Sequence, residues 1–289
     1  MANVRKRLSH NVEGEFFVDS TCIDCDACRQ LAPETFKEFG EHSVVSAQPR
    51  TEGDERRALR ALLACPTGSI GTLHRNHAKE VIGDFPLPIE DEVYYSGFNS
   101  PKSYGGSSYF VQNPGGNWLI DSPRYTPHLV RRFAELGGIQ YIFLTHRDDV
   151  ADADKYARRF STRRIIHRAE LSAQPDAEIV LDGHEPVELH PAFLVIPTPG
   201  HTRGHSVLLY RRRFLFTGDH LWWDPTDGRL DASEEYCWYS WQEQARSMAS
   251  LRRFTFEWVL PGHGHRVRLP SDAMHRELSL LVDRMSASV

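Results

Sequence analysis

The sequence has no apolar run approaching the ~20 residues needed to cross a bilayer. Its opening, Met1-Ala-Asn-Val-Arg-Lys-Arg-Leu8, carries charge with no apolar segment behind it. Neither a membrane span nor a secretory signal is therefore expected, and a cytoplasmic location is the default. Basic charge is also scarce: 34 Lys and Arg stand against 39 Asp and Glu, a formal net charge of −5. Phosphate binding needs a basic face, so nucleic acid is not expected as a partner. The pairs and triplets Arg131-Arg132, Arg163-Arg164 and Arg211-Arg212-Arg213 are short and scattered, and read as solvated surface. No internal repeat of about 20 to 50 residues is evident, which removes the solenoid architectures. Cysteine is sparse as well, with five in 289 residues, and four of them fall at positions 22, 25, 28 and 65. Such clustering in a reducing compartment points to metal or redox chemistry and away from a disulfide framework.

What remains is an ordinary globular composition, 40% hydrophobic and 25% charged. At roughly 100–200 residues per domain, the length fits two domains. We place them at 1–85 and 86–289.

In the first, Glu15-Phe-Phe-Val18 has a strand pattern and leads into Cys22-Ile-Asp-Cys25-Asp-Ala-Cys28. The fourth cysteine stands in Ala64-Cys65-Pro66. Between them lie a strand candidate, Ser43-Val-Val-Ser-Ala47, and a helix over 54–63 with apolar residues at helical spacing. Three closely spaced thiolates can wrap one face of an iron–sulfur cube, and a remote Cys-Pro can supply the fourth. A zinc ribbon fits less well, since it uses two separated C-x-x-C pairs and the second half here has one cysteine. Unmetallated thiols are the other alternative. The arrangement resembles single-cluster bacterial-type ferredoxins over about residues 12–75. That resemblance implies a [4Fe-4S] cluster held by Cys22, Cys25, Cys28 and Cys65. Residues 76–90, with Pro86 and Pro88, read as a linker. His74 and His77 read as surface histidines.

The second part alternates strand and helix. Strands are expected at 92–98, 108–112, 117–121, 140–144, 164–167, 192–197, 206–210, 214–217 and 256–260. Helices are expected at 127–136, 152–160, 240–254 and 271–285. Four of the strand runs end in ligand-type side chains: Thr145-His146-Arg147-Asp148, Pro199-Gly200-His201-Thr202, Gly218-Asp219 and Pro261-Gly262-His263. Glycine beside three of them lets the backbone turn and present the side chain. Imidazole and carboxylate are the preferred ligands of zinc, iron and manganese.

These motifs resemble the metallo-β-lactamase-fold superfamily, which includes glyoxalase II and the persulfide dioxygenases. The resemblance runs over nearly all of 90–265. It implies an α/β chain: an αββα sandwich with a metal site at one edge, preceded here by a small α+β ferredoxin-like domain. Ile120-Asp121-Ser122 corresponds to a further strand end of the family, with Pro123 in place of glycine. The departure lies in the first motif. Against the family's H-x-H-x-D-H, this chain reads His146-Arg147-Asp148-Asp149-Val150-Ala151. The second histidine becomes Asp148, and the last two ligands become Val150 and Ala151, which have no donor atom. In binuclear relatives the lost positions serve the second metal together with the histidine matching His263, while the position of Asp219 bridges both ions.

One divalent metal, iron or zinc, is therefore expected on His146, His201 and Asp219. Asp148 is a further ligand or an orienting partner. A second ion on Asp219 and His263 would need Asp149 or Asp152 as a substitute ligand. Two histidines and one carboxylate make the facial set of non-haem iron oxygenases, and the resemblance implies that persulfide dioxygenases use the positions matching His146, His201 and Asp219. The leading expectation is an oxidoreductase acting on oxygen or a sulfur species, with a small-molecule substrate and a redox partner protein. A zinc hydrolase is the alternative, with Asp148 or Asp219 orienting the attacking hydroxide and the cluster structural or regulatory. An electron carrier or sensor without catalysis is the third. The aromatic tract 219–241 holds four of the six tryptophans and reads equally as a substrate wall or as helix packing. Cys237 reads as a small buried hydrophobe. His205, His220 and His265 read as neighbours of ligands or plain surface.

Overall fold

The computed structural model describes residues 2–74 and 78–287, in two compact units. One comprises residues 1–117 with 122–139, the other 118–121 with 140–289.

The first unit runs β1 (Phe16–Val18), α1 (Ala27–Leu31), β2 (Phe36–Phe39), β3 (His42–Val45), α2 (Glu52–Ala64), β4 (Ile70–Thr72), α3 (Ala78–Val81), β5 (Leu87–Glu90), β6 (Val93–Tyr95), β7 (Tyr109–Val111) and α4 (Pro127–Glu135). β1 pairs antiparallel with β4, and β2 with β3. α2 starts where Thr51 and Asp54 form a capping box: the Thr51 hydroxyl accepts from the Asp54 N–H, and the Asp54 carboxylate accepts from the Thr51 N–H, both at 3.1 Å. Its buried face is Ala58, Leu59, Ala61 and Ala64, at helical spacing. That face packs in a core with Phe16, Val18, Phe36, Val45 and Ile70.

The stretch expected to be a linker is structured. Residues 76 and 77 lie outside the described residues, but Ala78–Val81 is helical and Leu87–Glu90 is a strand. Pro86 and Pro88 disfavour a helix, as expected, yet not an edge strand, where a missing N–H costs no ladder bond. β5 is such an edge, antiparallel to β6, which in turn pairs with β7.

The second unit runs β8 (Trp118–Ile120), β9 (Tyr141–Phe143), α5 (Ala153–Phe160), β10 (Arg163–His167), β11 (Ile179–Leu181), β12 (Val187–His190), β13 (Phe193–Pro197), β14 (Ser206–Tyr210), β15 (Phe214–Gly218), β16 (Trp222–Asp224), β17 (Arg229–Asp231), α6 (Trp241–Ser250), β18 (Trp258–Pro261), β19 (Val267–Arg268) and α7 (Ser271–Ala287). β8, β9, β10 and β11 are mutually parallel. β12 to β15 form an antiparallel meander; β18 joins it parallel to β15, and β19 follows antiparallel.

The two sets of strands meet face to face: Trp118 of β8 stacks on Phe193 of β13 with centroids 4.1 Å apart. The other face of the meander presents Val207, Leu209 and Leu215 to Met248 of α6 and to Leu278 and Leu281 of α7. α5 packs on β10. This is the expected helix–sheet–sheet–helix order. The strands β8, β9, β13, β15 and β18 all end at residues that matter below.

Candidate metal centre

His146 follows β9 and is fully buried. Its Nδ1 lies 2.9 Å from the Thr145 hydroxyl, which itself lies 3.0 and 3.1 Å from the two oxygens of Asp121, at the end of β8. With the Thr145 proton on Asp121, the hydroxyl accepts from His146 Nδ1–H, and the lone pair of Nε2 faces the site. Burial pushes the Asp121 carboxyl up to about 8; hydrogen bonds from Thr145 oppose the rise and the nearby Asp219 charge adds to it. Burial also holds the His146 imidazole neutral, down to about 3, against the pull of Asp219. A neutral imidazole is the ligand form.

His201 sits in the turn after β13, 2% exposed. Gly200 before it has φ +153°, and a Cβ there would lie 2.3 Å from the Gln244 backbone. Asp219 follows β15. Its Oδ2 lies 3.6 Å from His146 Nε2, 3.7 Å from His201 Nε2 and 3.9 Å from His263 Nε2. Asp148 Oδ2 lies 3.9 Å from both His146 Nε2 and His201 Nε2, with about half its side chain exposed. Burial raises the Asp148 carboxyl, while Arg147 and His201 lower it. Asp219 is half-buried, and its loss of water alone would raise it; His263, His146 and His201 outweigh that and hold it below the usual range.

The structure therefore brings His146, Asp148, His201, Asp219 and His263 together. It adds Asp149, 2% exposed, whose carboxylate comes within 4.8 Å of ligand atoms of His146 and Asp219. Gly262 makes the room: a Cβ there would sit 2.7 Å from both Asp149 Oδ2 and Asp219 Oδ1. Asp152 takes a different part, paired with Lys155 at 2.9 Å.

The donor set fits a cation. His146 Nε2, His201 Nε2 and Asp219 Oδ1 are buried and make no hydrogen bond among the described residues. Leaving buried polar atoms unpaired costs about 1–3 kcal/mol each. Atoms bound about 2.0–2.1 Å from one ion at tetrahedral angles lie about 3.3 Å apart. The separations of Asp219 Oδ2 from His146 and His201, 3.6 and 3.7 Å, exceed that by a few tenths of an ångström.

Three residues support these candidate ligands: Glu170, which the sequence did not single out, and His205 and His220, which it left between neighbours of ligands and plain surface. Glu170, 1% exposed, accepts from Arg147 N–H at 3.2 Å and from Gly204 N–H at 2.6 Å. It thereby ties the loop after His146 to the loop after His201. His205 is fully buried and is not surface. Its Nε2 accepts from the Asp219 N–H at 3.3 Å, so its Nδ1 holds the proton and donates to Thr198 Oγ1 at 3.0 Å. With both nitrogens engaged it anchors Asp219 and is not a ligand. His220 is equally buried and stacks on His205, centroids 5.4 Å apart. Buried imidazoles cannot be told from surface ones by the local sequence alone.

The aromatic tract divides. Trp223 and Trp241 pack against the helix-side core. Trp222 lies against Gly264, where a Cβ would be 2.5 Å from its ring. Trp238 is 59% exposed, its backbone N–H donates to His201 O at 2.9 Å, and its ring stands edge-on to His201 with centroids 6.1 Å apart. Cys237 is half-buried and donates to Gly200 O at 3.1 Å; burial raises its thiol pKa.

In the first unit, Cys22, Cys25, Cys28 and Cys65 line one pocket with Ser43, Thr67 and Ser69. None is in a disulfide. Ser43 N–H donates to Cys22 Sγ at 3.4 Å, and Ser69 N–H to Cys65 Sγ at 3.3 Å. The loop between the first two cysteines and α1 carries Asp24 and Asp26 at positive φ, and Arg29 ties both down at 2.5 Å. Burial drives the Cys22, Cys25 and Cys28 thiols upward, Cys25 to about 12. Thiols pushed up in this way become thiolates only beside a cation, and the set of four convergent cysteines fits an iron–sulfur cube. His74 is exposed and pairs with Glu15 at 2.9 Å; His77 lies outside the described residues.

Comparison with known proteins agrees with both halves. Residues 103–281 match the model of the metallo-beta-lactamase superfamily, and the chain belongs to that family. Residues 18–72 match the 4Fe-4S single cluster domain of Ferredoxin I. Among solved structures, the DIM-1 metallo-beta-lactamase aligns at 17% identity over 68% of this chain and 95% of its own, with a TM-score of 0.51. VMB-1 aligns at 18% identity over 70% and 96%, with a TM-score of 0.50. At such identities the likeness concerns the fold. The chain is thus a mixed α/β protein with a metallo-β-lactamase body and a ferredoxin-like segment that supports an iron–sulfur cluster. No helix among the described residues is long and apolar enough to cross a membrane.

Proposed function

We propose that the chain is an oxidoreductase with one non-haem iron held by His146, His201 and Asp219, acting with oxygen on a small sulfur species. The observation that carries this reading is the convergence of the His146 and His201 imidazoles on Asp219 Oδ2, at 3.6 and 3.7 Å. That is a two-histidine, one-carboxylate set. Val150 and Ala151 supply no donor where a second ion would need one. The four-cysteine pocket supports the redox reading, because a hydrolytic site has no use for an electron carrier. When bound, the iron supplies open coordination positions and one-electron chemistry.

The chain's own groups do the rest. Thr145 and Asp121 hold His146 in the ligand tautomer. His205 holds Asp219 in place. Asp148, half exposed beside His146 and His201, is placed to take or give a proton at the mouth of the site. Trp238 offers an apolar wall over His201. A redox partner protein and the boundary at residue 85 belong to the same reading.

Asp149 favours a second reading. Its carboxylate near Asp219, with His263 at hand, could complete a second ion site and a zinc hydrolase. Oxygen uptake with a low-molecular-weight persulfide separates the two. The proposal expects uptake that is lost in Asp219→Asn and His201→Ala. Thioester hydrolysis by the zinc-loaded chain, with no oxygen uptake by the iron-loaded one, would contradict it.

A further inference from the structure

The lining of the four-cysteine pocket comes from the ferredoxin-like segment itself, but a loop beyond that segment packs against Cys25 and Pro66. Gly105 lies so close to Cys25 that a Cβ on it would be 2.6 Å from Cys25 Cβ, 2.9 Å from its sulfur and 3.1 Å from Pro66. Its φ is +87°, a conformation open to glycine and rare for other residues. The backbone of this loop thus stands where any side chain would collide with a cluster ligand.

The loop is locked in that position. Asn99, 1% exposed, donates from Nδ2 to Gly105 O at 2.6 Å, and its Oδ1 accepts from the buried Tyr95 hydroxyl at 2.6 Å. Its backbone N–H donates to Ala64 O at 3.2 Å, one residue before Cys65. Arg124 adds a second tie: its N–H donates to Phe98 O at 2.9 Å, and its guanidinium to Pro66 O at 3.3 Å. Phe98 and Tyr104 hold positive φ within the same loop, at 48° and 46°. Non-glycine residues keep such conformations only where their surroundings enforce them. All of these residues belong to one compact unit.

We infer that the Phe98–Gly106 loop is the cap of the iron–sulfur site, with Asn99 and Gly105 as positioning residues that exclude water from the Cys25 side of the cluster. Water stabilises the more negatively charged reduced cluster, so exposure moves the reduction potential upward and opens the cluster to oxidative loss. The cap rests on the four-cysteine cluster and not on the chemistry of the histidine site. Failure of either reading leaves the other standing.

The test uses the full chain, purified anaerobically, as Gly105→Ala, Asn99→Ala and the control Gly83→Ala. Gly83 has nothing within 4 Å of a Cβ and no positive φ. After loading to equal iron and sulfide, the cluster's potential is titrated and its visible absorbance followed in air. The cap predicts a more positive potential and several-fold faster bleaching in Gly105→Ala, a smaller change of the same sign in Asn99→Ala, and none in Gly83→Ala. If Gly105→Ala does not load, Asn99→Ala decides alone. Potentials and bleaching rates in the loaded variants equal to those of the parent chain would overturn the inference.

Discussion

At the scale of single residues, the candidate metal centre is held by groups outside the proposed ligand set. Thr145 is the clearest. Its hydroxyl stands between His146 Nδ1 and Asp121, and so decides which imidazole nitrogen is free. Such outer partners are worth about 10- to 100-fold in metal affinity. Thr145→Val is therefore expected to weaken metal binding by about that factor, and Thr145→Ser to restore most of it; competition with a chromogenic chelator measures both. Glu170→Gln makes a related case. The carboxylate accepts from two backbone N–H groups, and an amide would turn a donor toward one of them. Roughly tenfold weaker metal binding is expected, within the range for outer-shell partners, and binding equal to the parent chain would show that the two loops hold without it. Of His205, His220, Glu170 and Thr145, only Glu170 was not singled out in the sequence, but nothing there joined the four. They are scattered over 76 positions along the chain, from 145 to 220, and meet only when β9, β10, β14 and β15 pack.

At the scale of elements, the strand ends that carry the candidate ligands were legible because each couples an apolar run to a glycine or a polar turn. His146, His201, Asp219 and His263 stand where β9, β13, β15 and β18 finish. Asp149 was less legible: its neighbour Asp152 looks the same in sequence, and both are buried, but the 3-10 segment after His146 brings Asp149 near Asp219 while Asp152 pairs with Lys155. The edge strand β5 was hidden by its prolines. Helix α2 has a testable anchor. Arg60 Nε reaches Asp84 Oδ2 at 2.6 Å and Arg56 Nε reaches it at 2.9 Å. Burial raises the Asp84 carboxyl, but these guanidinium bonds outweigh it, and the group lies below its usual value of 3.8. A folded pKa depressed below the unfolded one gives stability that is present above about pH 4 and is lost as pH falls through the folded value. Asp84→Asn is expected to cost about 1–3 kcal/mol at pH 7, with the difference from the parent chain closing under acid conditions; urea unfolding at several pH values follows it. On the other unit, Leu278→Ala empties a fully packed site between α7 and the meander. About 2–5 kcal/mol is expected there, visible as a lower thermal midpoint.

At the scale of the whole molecule, two metal chemistries share one chain. The cysteine spacing and the strand-end motifs announced both, because each is a local pattern. The role of Gly105 was not announced, because it depends on a loop distant in sequence folding over Cys25. The number and kind of metal ions decide between the functional readings, since the donor set of His146, His201 and Asp219 accepts either iron or zinc. The direct measurement is iron, zinc and acid-labile sulfide per chain, on protein purified without oxygen and without added zinc. One iron beside a four-iron cluster gives about five irons to four sulfides with little zinc, and Asp219→Asn is expected to lose about one iron but no sulfide. About four irons and four sulfides accompanied by one or two zinc ions would contradict that expectation.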